Sequence, residues 1–419
     1  MHQYFFDDTV TLKEQAFNWA YSFDVACYFD SNNYSDPYSA FDILIAAGAK
    51  EELSTGNGNA FENLGRFLSN REIVVPGYLT YDLKNELEDL VSLNTDHLQF
   101  PELYFFIPEH LILFKGNQVT IYSDEPEKVW RNIQEQKTVT PKKNNITIQS
   151  RFTKPEYLKT VNLLKKHIQK GDIYEITFCQ EFFADNVELD PLQIFQSLNN
   201  ISPTPFANFF KIRDKYIISA TPERFLSKRG RKLISQPIKG TAARSVNQDE
   251  DLKNKESLYR DEKEKAENVM IVDLVRNDLT RSAEPGSVTV KELFGVYSFK
   301  QVHQMISTVV CQAAYGISNQ DILKNTFPMG SMTGAPKIRA MQLIEQYERT
   351  RRGVFSGTVG YISPNGDFDF NVVIRTILYN KTAKYLSFQV GSAITFECSA
   401  EKEYEECLLK ASAIQAVLN

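Results

Sequence analysis

The sequence predicts an α+β protein in which antiparallel strands form the sheet and helices pack outside it. Residues 209–241 and 355–398 each contain several short apolar runs separated by turn signals, a pattern typical of successive strands. Between two of these runs stands Asn365-Gly366, a dipeptide that favours a tight hairpin because both residues tolerate positive φ. Residues 156–172 place apolar side chains at helical spacing and end near a glycine, which predicts an amphipathic helix.

One polar stretch divides the chain. Residues 135–156 are rich in lysine, threonine and asparagine, and they separate a region of short apolar runs from a longer second region. We therefore predict a boundary near residue 145, with an amino-terminal region of residues 1–145 and a second domain of residues 146–419. The second domain contains the stronger chemical signals, so we expect it to be catalytic.

Composition limits the possible partners and compartment. The chain has 419 residues, of which 42% are hydrophobic and 24% charged, with a net charge of −6 and an isoelectric point near 5.6. An acidic chain with dispersed basic residues gives no support for binding nucleic acid or an anionic membrane, so the expected partner is a small molecule or another protein. The five cysteines form no CxxC pair, and the first residues lack the pattern of a secretion signal. We therefore expect a cytoplasmic protein.

Two predicted helices each contain a pair of glutamates three residues apart, which places both carboxylates on one helix face. The pairs are Glu264 with Glu267 and Glu403 with Glu406. Four carboxylates that face each other repel and are costly to bury unless a hard divalent cation lies among them, and Mg²⁺ suits one or two direct carboxylate ligands. Spacing alone leaves a second interpretation open, in which both pairs lie on solvent-exposed faces of amphipathic helices.

Five motifs follow one another in an order that resembles the chorismate-utilising enzymes, which include anthranilate, aminodeoxychorismate, isochorismate and salicylate synthases. The motifs are PIKGT (237–241), DEKEKAENVMIVDLVRNDL (261–279), TFPMGSMTGAPKIRAMQLIE (326–345), SGTVGYISPNGDFDFNVVIRTI (356–377) and GSAITFECSAEKEYEECLLKA (391–411). The resemblance extends from about residue 150 to the last residue and makes residues 146–419 the expected chorismate-binding domain. It implies a fold of two packed antiparallel β-sheets wrapped by helices.

The amino-terminal region resembles the anthranilate and aminodeoxychorismate branch of this family through PGYLTYDLKNELE and CYFDSNN. In some relatives a motif similar to FDS helps to bind tryptophan. Here the matching stretch is short, so Asp30 and Ser31 are interpreted as turn residues.

The resemblance also implies a metal site. Chorismate is a dianion with a hydroxyl at C4, and expelling that hydroxyl requires a Lewis acid near the ring carboxylate and a proton donor near the leaving oxygen. Glu267 and Glu406 match the direct Mg²⁺ ligands of the family. Glu264 and Glu403 match carboxylates that hold the waters of the ion.

Further residues match the substrate site of the family. Glu223 matches its general acid/base carboxylate, with a salt bridge to Arg224 as the alternative interpretation. Arg375 matches the arginine that binds the enolpyruvyl carboxylate, for which a planar fork of donors is well suited. The other residues expected at the substrate are Gly240, Thr241, Ala242, Ser331, Gly391, Ser392, Ala393 and Lys410, with Thr241 counted among the catalytic residues.

Lys239 distinguishes two branches of the family. In anthranilate synthases an alanine precedes Gly-Thr and ammonia attacks C2 of chorismate. In aminodeoxychorismate synthases a lysine at this position attacks C2 first, so that ammonia enters at C4. A nucleophilic lysine must lose its proton, so its pKa of about 10.4 has to fall to about 7, and desolvation and a nearby Mg²⁺ both act in that direction. A lysine that only neutralises a substrate carboxylate is the alternative.

At four positions the sequence departs from the family pattern. Gln304 stands where relatives have histidine, and His303 lies one residue early, so neither is expected to be catalytic. Phe355 replaces a tyrosine whose hydroxyl helps the arginine at the substrate, and Ser392 replaces a common glycine. Glu175 stands where isochorismate synthases have a lysine that activates water. We expect this carboxylate to orient the nucleophilic lysine or an incoming ammonium, or else to pair with an arginine as an ordinary strand residue.

The resemblance therefore implies Mg²⁺-dependent amination of chorismate at C4 to 4-amino-4-deoxychorismate, for 4-aminobenzoate and folate synthesis. None of the cysteines lies in the Gly-x-Cys-x-Gly motif of class I glutaminases, so ammonia is expected from a separate glutamine amidotransferase subunit. Anthranilate synthase component I is the alternative enzyme, and isochorismate synthase is disfavoured by the carboxylate at position 175. A non-catalytic paralogue that binds chorismate is the alternative from another class of protein.

Overall fold

Antiparallel strands and helices make up the described part of the chain. The computed structural model describes residues 1–6, 9–56, 58–137 and 144–419, so residues 138–143 of the predicted linker lie outside the described residues. Within the described ranges, eleven α-helices and twenty β-strands are present, and the strand pairings are antiparallel. The α+β class predicted from the sequence is confirmed.

The strands are β1 (His2–Phe5), β2 (Val25–Asp30), β3 (Ile43–Thr55), β4 (Val75–Leu79), β5 (Leu103–Lys115), β6 (Gln118–Tyr122), β7 (Gln149–Ser150), β8 (Glu175–Ala184), β9 (Phe206–Ile212), β10 (Lys215–Thr221), β11 (Arg224–Arg229), β12 (Lys232–Gln236), β13 (Ile238–Ala243), β14 (Thr289–Ser298), β15 (Val302–Gln312), β16 (Gly334–Ala335), β17 (Thr358–Ile362), β18 (Phe368–Val372), β19 (Thr376–Asn380) and β20 (Tyr385–Ile394). The helices are α1 (Thr9–Tyr21), α2 (Ala60–Leu68), α3 (Lys84–Leu87), α4 (Pro126–Gln134), α5 (Lys154–Gln169), α6 (Pro191–Ile201), α7 (Gln248–Arg260), α8 (Glu262–Thr280), α9 (Asn319–Thr326), α10 (Lys337–Tyr347) and α11 (Ala400–Leu418). Two short 3-10 turns, Tyr81–Leu83 and Gly330–Met332, complete the regular structure that is described.

Local sequence signals account for the predicted helix and hairpin. Helix α5 begins after Thr153, whose backbone and hydroxyl both donate to the Glu156 carboxylate in a capping box. The hairpin joins β17 to β18 with Ile362 opposite Phe368, and the intervening Gly366 has a φ of 80°. The hairpin was predicted from Asn365-Gly366 and the helix from its apolar spacing. The capping box was not predicted, although it depends on two residues only three positions apart.

The two faces of the central strands pack into two separate apolar cores. Along β2, Val25, Cys27 and Phe29 point to one core, whereas Ala26 and Tyr28 point to the other, as the period of two in a strand requires. The inner core lies between strands, also receives side chains from α2, α8 and α9, and includes Cys27, Leu44, Phe106, Phe210, Leu226 and Phe370. The outer core joins strands to helices and includes Tyr28, Ile45, Phe209, Phe195, Phe388 and Ile414.

Two long strands connect the layers of the sheet. β3 and β5 pair along their whole length, with a register shift between Ala49 and Glu51 next to Gly48, whose φ is 71°. The first part of β5 also pairs with β4, and its last part pairs with β6. A shifted register is the usual device by which a strand bends from one sheet layer to the next. The strands consequently form one continuous hydrogen-bonded network around the inner core.

Strand pairs also connect the two predicted domains. β2 pairs with β9, and β4 pairs with β17, so strands from residues 1–145 extend the sheet of residues 146–419. The functional division at residue 145 stays a prediction. None of the helices in the described ranges is both long and apolar enough to span a membrane.

The inner core gives a test of the fold. Leu44 is fully buried there, and replacing it with alanine should lower the free energy of unfolding by about 2–5 kcal/mol, because transfer energy is lost and a cavity remains. Urea unfolding measures the change. Leu93, which is 85% exposed, provides the matched control, and Leu93→Ala should change the free energy of unfolding by less than about 0.5 kcal/mol. Equal effects of the two substitutions would contradict the described core.

Candidate active site

The predicted site residues converge from elements that are distant in sequence. β8 contributes Glu175, β13 contributes Lys239, and the 3-10 turn Gly330–Met332 contributes Ser331. β20 pairs with β8 and leads into α11, which packs back on β20, while α8 packs against β13. The carboxylate-bearing helices α8 and α11 are thereby brought to the strands that contain the other predicted residues.

Lys239 forms a buried ion pair with Glu175. Lys239 Nζ lies 2.8 Å from Glu175 Oε1, and the exposed fractions of the two side chains are 12% and 1%. This contact restricts the position of the ammonium. It agrees with the interpretation in which Glu175 orients the lysine. The other interpretation, a pair between Glu175 and an arginine, is not what the structure contains.

The pKa of Lys239 differs in direction from the sequence expectation. Burial lowers the pKa of this ammonium, as expected, but the carboxylates of Glu175, Glu267 and Glu223 outweigh burial and raise the pKa above its ordinary value. Lys239 is therefore held as a cation in this arrangement. No signal in the sequence indicated these opposing carboxylates, because their number depends on how distant segments pack. The expected fall of the pKa also relied on a nearby Mg²⁺ and stays a prediction for the metal-bound site.

Glu223 is a buried carboxyl group with a raised pKa. The residue is 4% exposed, and burial raises its pKa to about 7, although a hydrogen bond from Ser331 and the charges of Lys239 and Lys410 act in the opposite direction. A carboxyl group with a pKa near neutrality can both donate and accept a proton. Arg224 does not neutralise it, because Arg224 Nε donates to Asp369 at 2.8 Å and its other nitrogens bind elsewhere.

The four glutamates of α8 and α11 form a charged cluster between the helices. Glu267 and Glu403 are buried, at 7% and 3% exposure, whereas Glu264 is partly exposed and Glu406 is exposed. The alternative of solvent-exposed helix faces is therefore wrong for the two buried glutamates. Burial, followed by neighbouring carboxylates, raises the pKa of Glu264 to about 7 and also raises the pKa of Glu403. Burial raises the pKa of Glu267 as well, against the opposing charges of Lys239 and Lys263. Burial acts in the same direction on Glu406, yet Lys410, whose Nζ lies 2.5 Å away, holds its pKa below the ordinary value.

Lys263 lies between the two helices and was not among the predicted residues. Its Nζ is 3.5 Å from Glu267 Oε1 and 3.6 Å from Glu403 Oε1. The nearby carboxylates raise the pKa of Lys263 against the effect of burial. The four-residue spacing from Lys263 to Glu267 is a helical ion-pair signal that the sequence contains. The contact with Glu403 has no such local signal.

The carboxylate cluster fits the needs of a hard divalent cation. Glu267 Oε1 is buried without a hydrogen-bond partner, and the donors are all carboxylate oxygens, the ligand type that Mg²⁺ prefers. In the ranges that the structure describes, no group of three or more histidine, cysteine, aspartate or glutamate side chains is arranged so that it could hold a metal ion on its own. Mg²⁺ commonly takes only one or two protein carboxylates and completes its shell with water and substrate oxygens, so a closed protein cage is not required.

Arg375 and Lys410 lie beside this cluster. Lys410 Nζ donates to the Gly391 carbonyl at 3.0 Å in addition to contacting Glu406. Arg375 is half-buried with a φ of 52°, and its Nη1 donates to the Lys410 carbonyl at 3.5 Å. Burial lowers the pKa of the guanidinium, which remains a cation because its ordinary pKa is above 12.

Two glycines allow close approach of backbone segments in the site. Gly240 has a φ of 90°, and a Cβ there would lie 3.1 Å from Glu264 Oε2. A Cβ on Gly391 would lie 2.3 Å from Cys179 Sγ on the paired strand. Both positions therefore exclude larger residues, Gly240 through its backbone conformation and Gly391 through the lack of space.

The remaining predicted substrate residues lie on β13 and β20. Thr241 is exposed and pairs with Gln304, and Ala242 pairs with His303. On β20, Ala393 is partly exposed, whereas Ser392 is 1% exposed and its hydroxyl lies 3.3 Å from the Tyr157 hydroxyl. The Ser392 hydroxyl is thus occupied within the protein, where it also hydrogen-bonds the Glu403 carboxylate.

Three further residues at which the sequence departs from the family pattern lie in buried surroundings. His303 is buried, with Nε2 at 3.0 Å from Asp251 Oδ1 and Nδ1 at 2.9 Å from the Ser298 hydroxyl, so it is engaged away from Lys239. Gln304 is 4% exposed, and its Oε1 is buried without a partner. Phe355 lies in the inner core at 2% exposure.

The FDS segment has the turn geometry expected from the sequence. Asp30 Oδ1 accepts a hydrogen bond from the Asn32 backbone at 2.7 Å, which is an Asx turn. Its other oxygen accepts from the Tyr28 hydroxyl at 2.7 Å and from Lys13 at 3.0 Å. The backbone N–H of Ser31 donates to the Asp42 carbonyl at 2.9 Å.

Comparisons with known proteins agree with this fold and show the family. The family described as chorismate binding enzyme matches residues 8–416. Aminodeoxychorismate synthase component 1 of Bacillus subtilis is 32% identical over 368 residues, covering 82% of this chain and 76% of that protein. Anthranilate synthase component 1 of Thermus thermophilus is 33% identical over 354 residues, covering 81% of this chain and 76% of that protein. Anthranilate synthase component I from Streptococcus pneumoniae has a crystal structure that matches with a TM-score of 0.80 at 25% identity, covering 91% of this chain and 93% of that one. The chain therefore belongs to the chorismate-binding enzyme family.

Proposed function

We propose that the protein aminates chorismate at C4 to give 4-amino-4-deoxychorismate, the precursor of 4-aminobenzoate in folate synthesis. The single observation that supports this branch is Lys239, confined by Glu175 next to Gly240 and the carboxylate helices. The family pattern has alanine at this position in anthranilate synthases. Curated relatives of similar identity bear the names of both synthases, so the choice between them rests on this lysine.

The proposed reaction begins with a proton transfer inside the Lys239–Glu175 pair. Glu175 Oε1 is 2.8 Å from Nζ and is the positioned acceptor, so the carboxylate becomes neutral as the amine becomes a free nucleophile. The amine then adds to C2 of chorismate while the C4 hydroxyl leaves as water, taking its proton from Glu223. Ammonia adds at C4 as the bond between C2 and Nζ breaks, and the electron pair of that bond returns to Nζ as the ring double bonds shift. The new ammonium group at C4 gives one proton to Glu223, and Glu175 returns its proton to Lys239, so each group recovers its starting state.

The remaining residues of the site bind and orient the dianion in this proposal. Arg375 would hold the enolpyruvyl carboxylate, and Ser331 would contact the substrate while hydrogen-bonding Glu223. Glu267 and Glu406 would bind Mg²⁺ directly, and Glu264 and Glu403 would hold its waters. When bound, the cation supplies a Lewis acid that neutralises the ring carboxylate of the substrate.

Ammonia is proposed to come from a separate glutamine amidotransferase subunit. All five cysteines are free and buried, and burial raises the pKa of each thiol, which is the opposite of what an activated nucleophile needs. Relatives from Bacillus subtilis and Escherichia coli are named component 1, which is consistent with a second subunit. Free thiols also support the proposed location in a reducing cytoplasm.

Product identification tests the proposed function. The purified chain with chorismate, Mg²⁺ and ammonium at alkaline pH should form 4-amino-4-deoxychorismate, detected by chromatography, because ammonia itself replaces the partner subunit. Glutamine should not replace ammonium. Anthranilate as the sole product would assign the chain to the other branch, and absence of chorismate consumption would support the non-catalytic alternative.

A covalent adduct tests the role of Lys239. Without ammonia, chorismate should accumulate on Lys239 and be located by intact-protein and peptide mass spectrometry. Lys239→Ala should abolish the adduct and produce some anthranilate, because ammonia then reaches C2. Lys239→Arg should also lack the adduct and activity, since guanidinium keeps its charge but is not a usable nucleophile. An active arginine variant would show that Lys239 acts only as a positive charge that binds the substrate.

Substitution of the glutamates tests the metal proposal. Glu267→Gln and Glu406→Gln should each lower turnover by more than about 100-fold and weaken Mg²⁺ binding measured by calorimetry, because a neutral amide replaces an anionic ligand. Glu405→Gln is the matched control on α11, where Glu405 is exposed, and it should leave both quantities unchanged. Normal Mg²⁺ affinity in the Glu267 and Glu406 variants would place the metal elsewhere.

A further inference from the structure

Along one edge of strand β8, a short segment has no neighbouring strand among the described residues. There, side chains form hydrogen bonds with the β8 backbone. β16 pairs with β8 at Glu175 and Ile176, and β7 pairs with it at Phe182 and Phe183. Between these pairings, the Thr177 carbonyl accepts a hydrogen bond from Arg352 Nη2 at 2.9 Å. The Cys179 backbone N–H donates to Glu348 Oε1 at 2.9 Å. The side-chain pair therefore completes the backbone hydrogen bonding of β8 where no strand does so.

Glu348 and Arg352 form one rigid, buried unit. Arg352 Nε donates to Glu348 Oε2 at 2.9 Å and Nη2 donates to Oε1 at 2.6 Å, which is a bidentate pair. Their side chains are 2% and 1% exposed, and the guanidinium lies over the Tyr81 ring at 4.6 Å from its centroid. A planar guanidinium held on both sides has little freedom, so its remaining donors have fixed directions.

One of those donors contacts the turn that contains Ser331. Arg352 Nη1 donates to the Met332 carbonyl at 2.7 Å. The Thr177 hydroxyl donates to the Ser331 carbonyl at 3.0 Å, so the turn is also bonded directly to β8. A single guanidinium thus fixes both β8, two residues from Glu175, and the turn whose Ser331 hydrogen-bonds Glu223.

We infer that Glu348 and Arg352 are positioning residues that hold Glu175 against Lys239 and Ser331 against Glu223. The inference rests on the proposed function, because it adds two supporting residues to that reaction. In the described ranges, the side-chain hydrogen bonds of Glu348 and Arg352 include none to Lys239 or to the four glutamates of α8 and α11. Their effect on the reaction must therefore be transmitted through the backbone of β8 and of the turn.

A double substitution to apolar residues separates positioning from stability. Replacing a buried ion pair with apolar residues of similar size commonly preserves the fold, but here it also leaves the Cys179 N–H and the Thr177 and Met332 carbonyls without these partners. Glu348→Leu with Arg352→Met should therefore fold, with a lower unfolding temperature measured by circular dichroism. With ammonium and Mg²⁺, its kcat should fall about 100-fold while the KM for chorismate changes less than about threefold, because reacting groups are displaced more than the substrate's anchors. Amide exchange of residues 175–179, measured by mass spectrometry, should become faster.

A matched control removes an ion pair at the far end of β8. Arg151 pairs with Glu181 of β8 at 2.8 Å, and Arg151→Met with Glu181→Gln should leave kcat within about threefold of the wild type. A folded Glu348→Leu, Arg352→Met protein with wild-type kcat would overturn the positioning role. If that protein does not fold, Arg352→Lys decides, since it keeps the charge but cannot supply the same set of donors. A tenfold or larger fall in its kcat supports the role, and wild-type kcat overturns it.

The two proposals fail in different ways. If the wild-type chain does not consume chorismate, the proposed function fails, and the positioning role is then judged by amide exchange alone. Unchanged exchange at residues 175–179 in the double variant would overturn it in that case. If the wild type is active and the double variant has the same kcat as the wild type, the proposed function stands and the positioning role is wrong.

Discussion

Compensation of buried charge is the constraint on which the rest of this site depends. Removing a carboxylate from water is costly unless an opposite charge or a hydrogen-bond donor is close to it. Six carboxylates meet here, namely Glu175, Glu223, Glu264, Glu267, Glu403 and Glu406, and the nearby cations are Lys239, Lys263, Lys410 and Arg375. The carboxylates exceed the cations by two formal charges. Burial is the main cause of the raised pKa values of Glu264, Glu267 and Glu403, and neighbouring carboxylates add to it. The divalent cation proposed above would offset the excess of negative charge.

The same constraint explains why the site is built on strands as well as helices. The lysines and carboxylates must keep fixed distances, and rigid elements hold such distances better than loops do. Pairing of β8 with β20 sets Cys179 opposite Gly391, where a side chain would not fit. Helix α11 follows β20 directly, so the strand register also determines where its glutamates lie. The buried pair of Glu348 and Arg352 extends this support to the edge of β8 that lacks a neighbouring strand.

Short-range features of the protein were predictable in detail. The capping box at Thr153, the hairpin at Gly366 and the three-residue spacing of the glutamates all depend on groups within one or two turns of chain. The resemblance to the chorismate-utilising enzymes added the order of the motifs and the choice of Lys239. Lys263 was missed although its spacing to Glu267 is a local signal. Arg352 gave no local signal of its contact with Thr177, because 175 positions separate them.

By itself, the sequence determined which chemical groups are present, which of them share a helix face, and which strands can turn back on one another. Only the tertiary structure decided which charges occupy one volume and how far each is removed from water. In the tertiary structure, Lys239 pairs with Glu175, and Arg224 pairs with Asp369 instead of with Glu223. The carboxylates near Lys239 raise its pKa rather than lower it. The physical reason is that capping and periodicity act between neighbours along the chain. Desolvation and Coulomb interactions act through space, between residues that the fold brings together from distant positions.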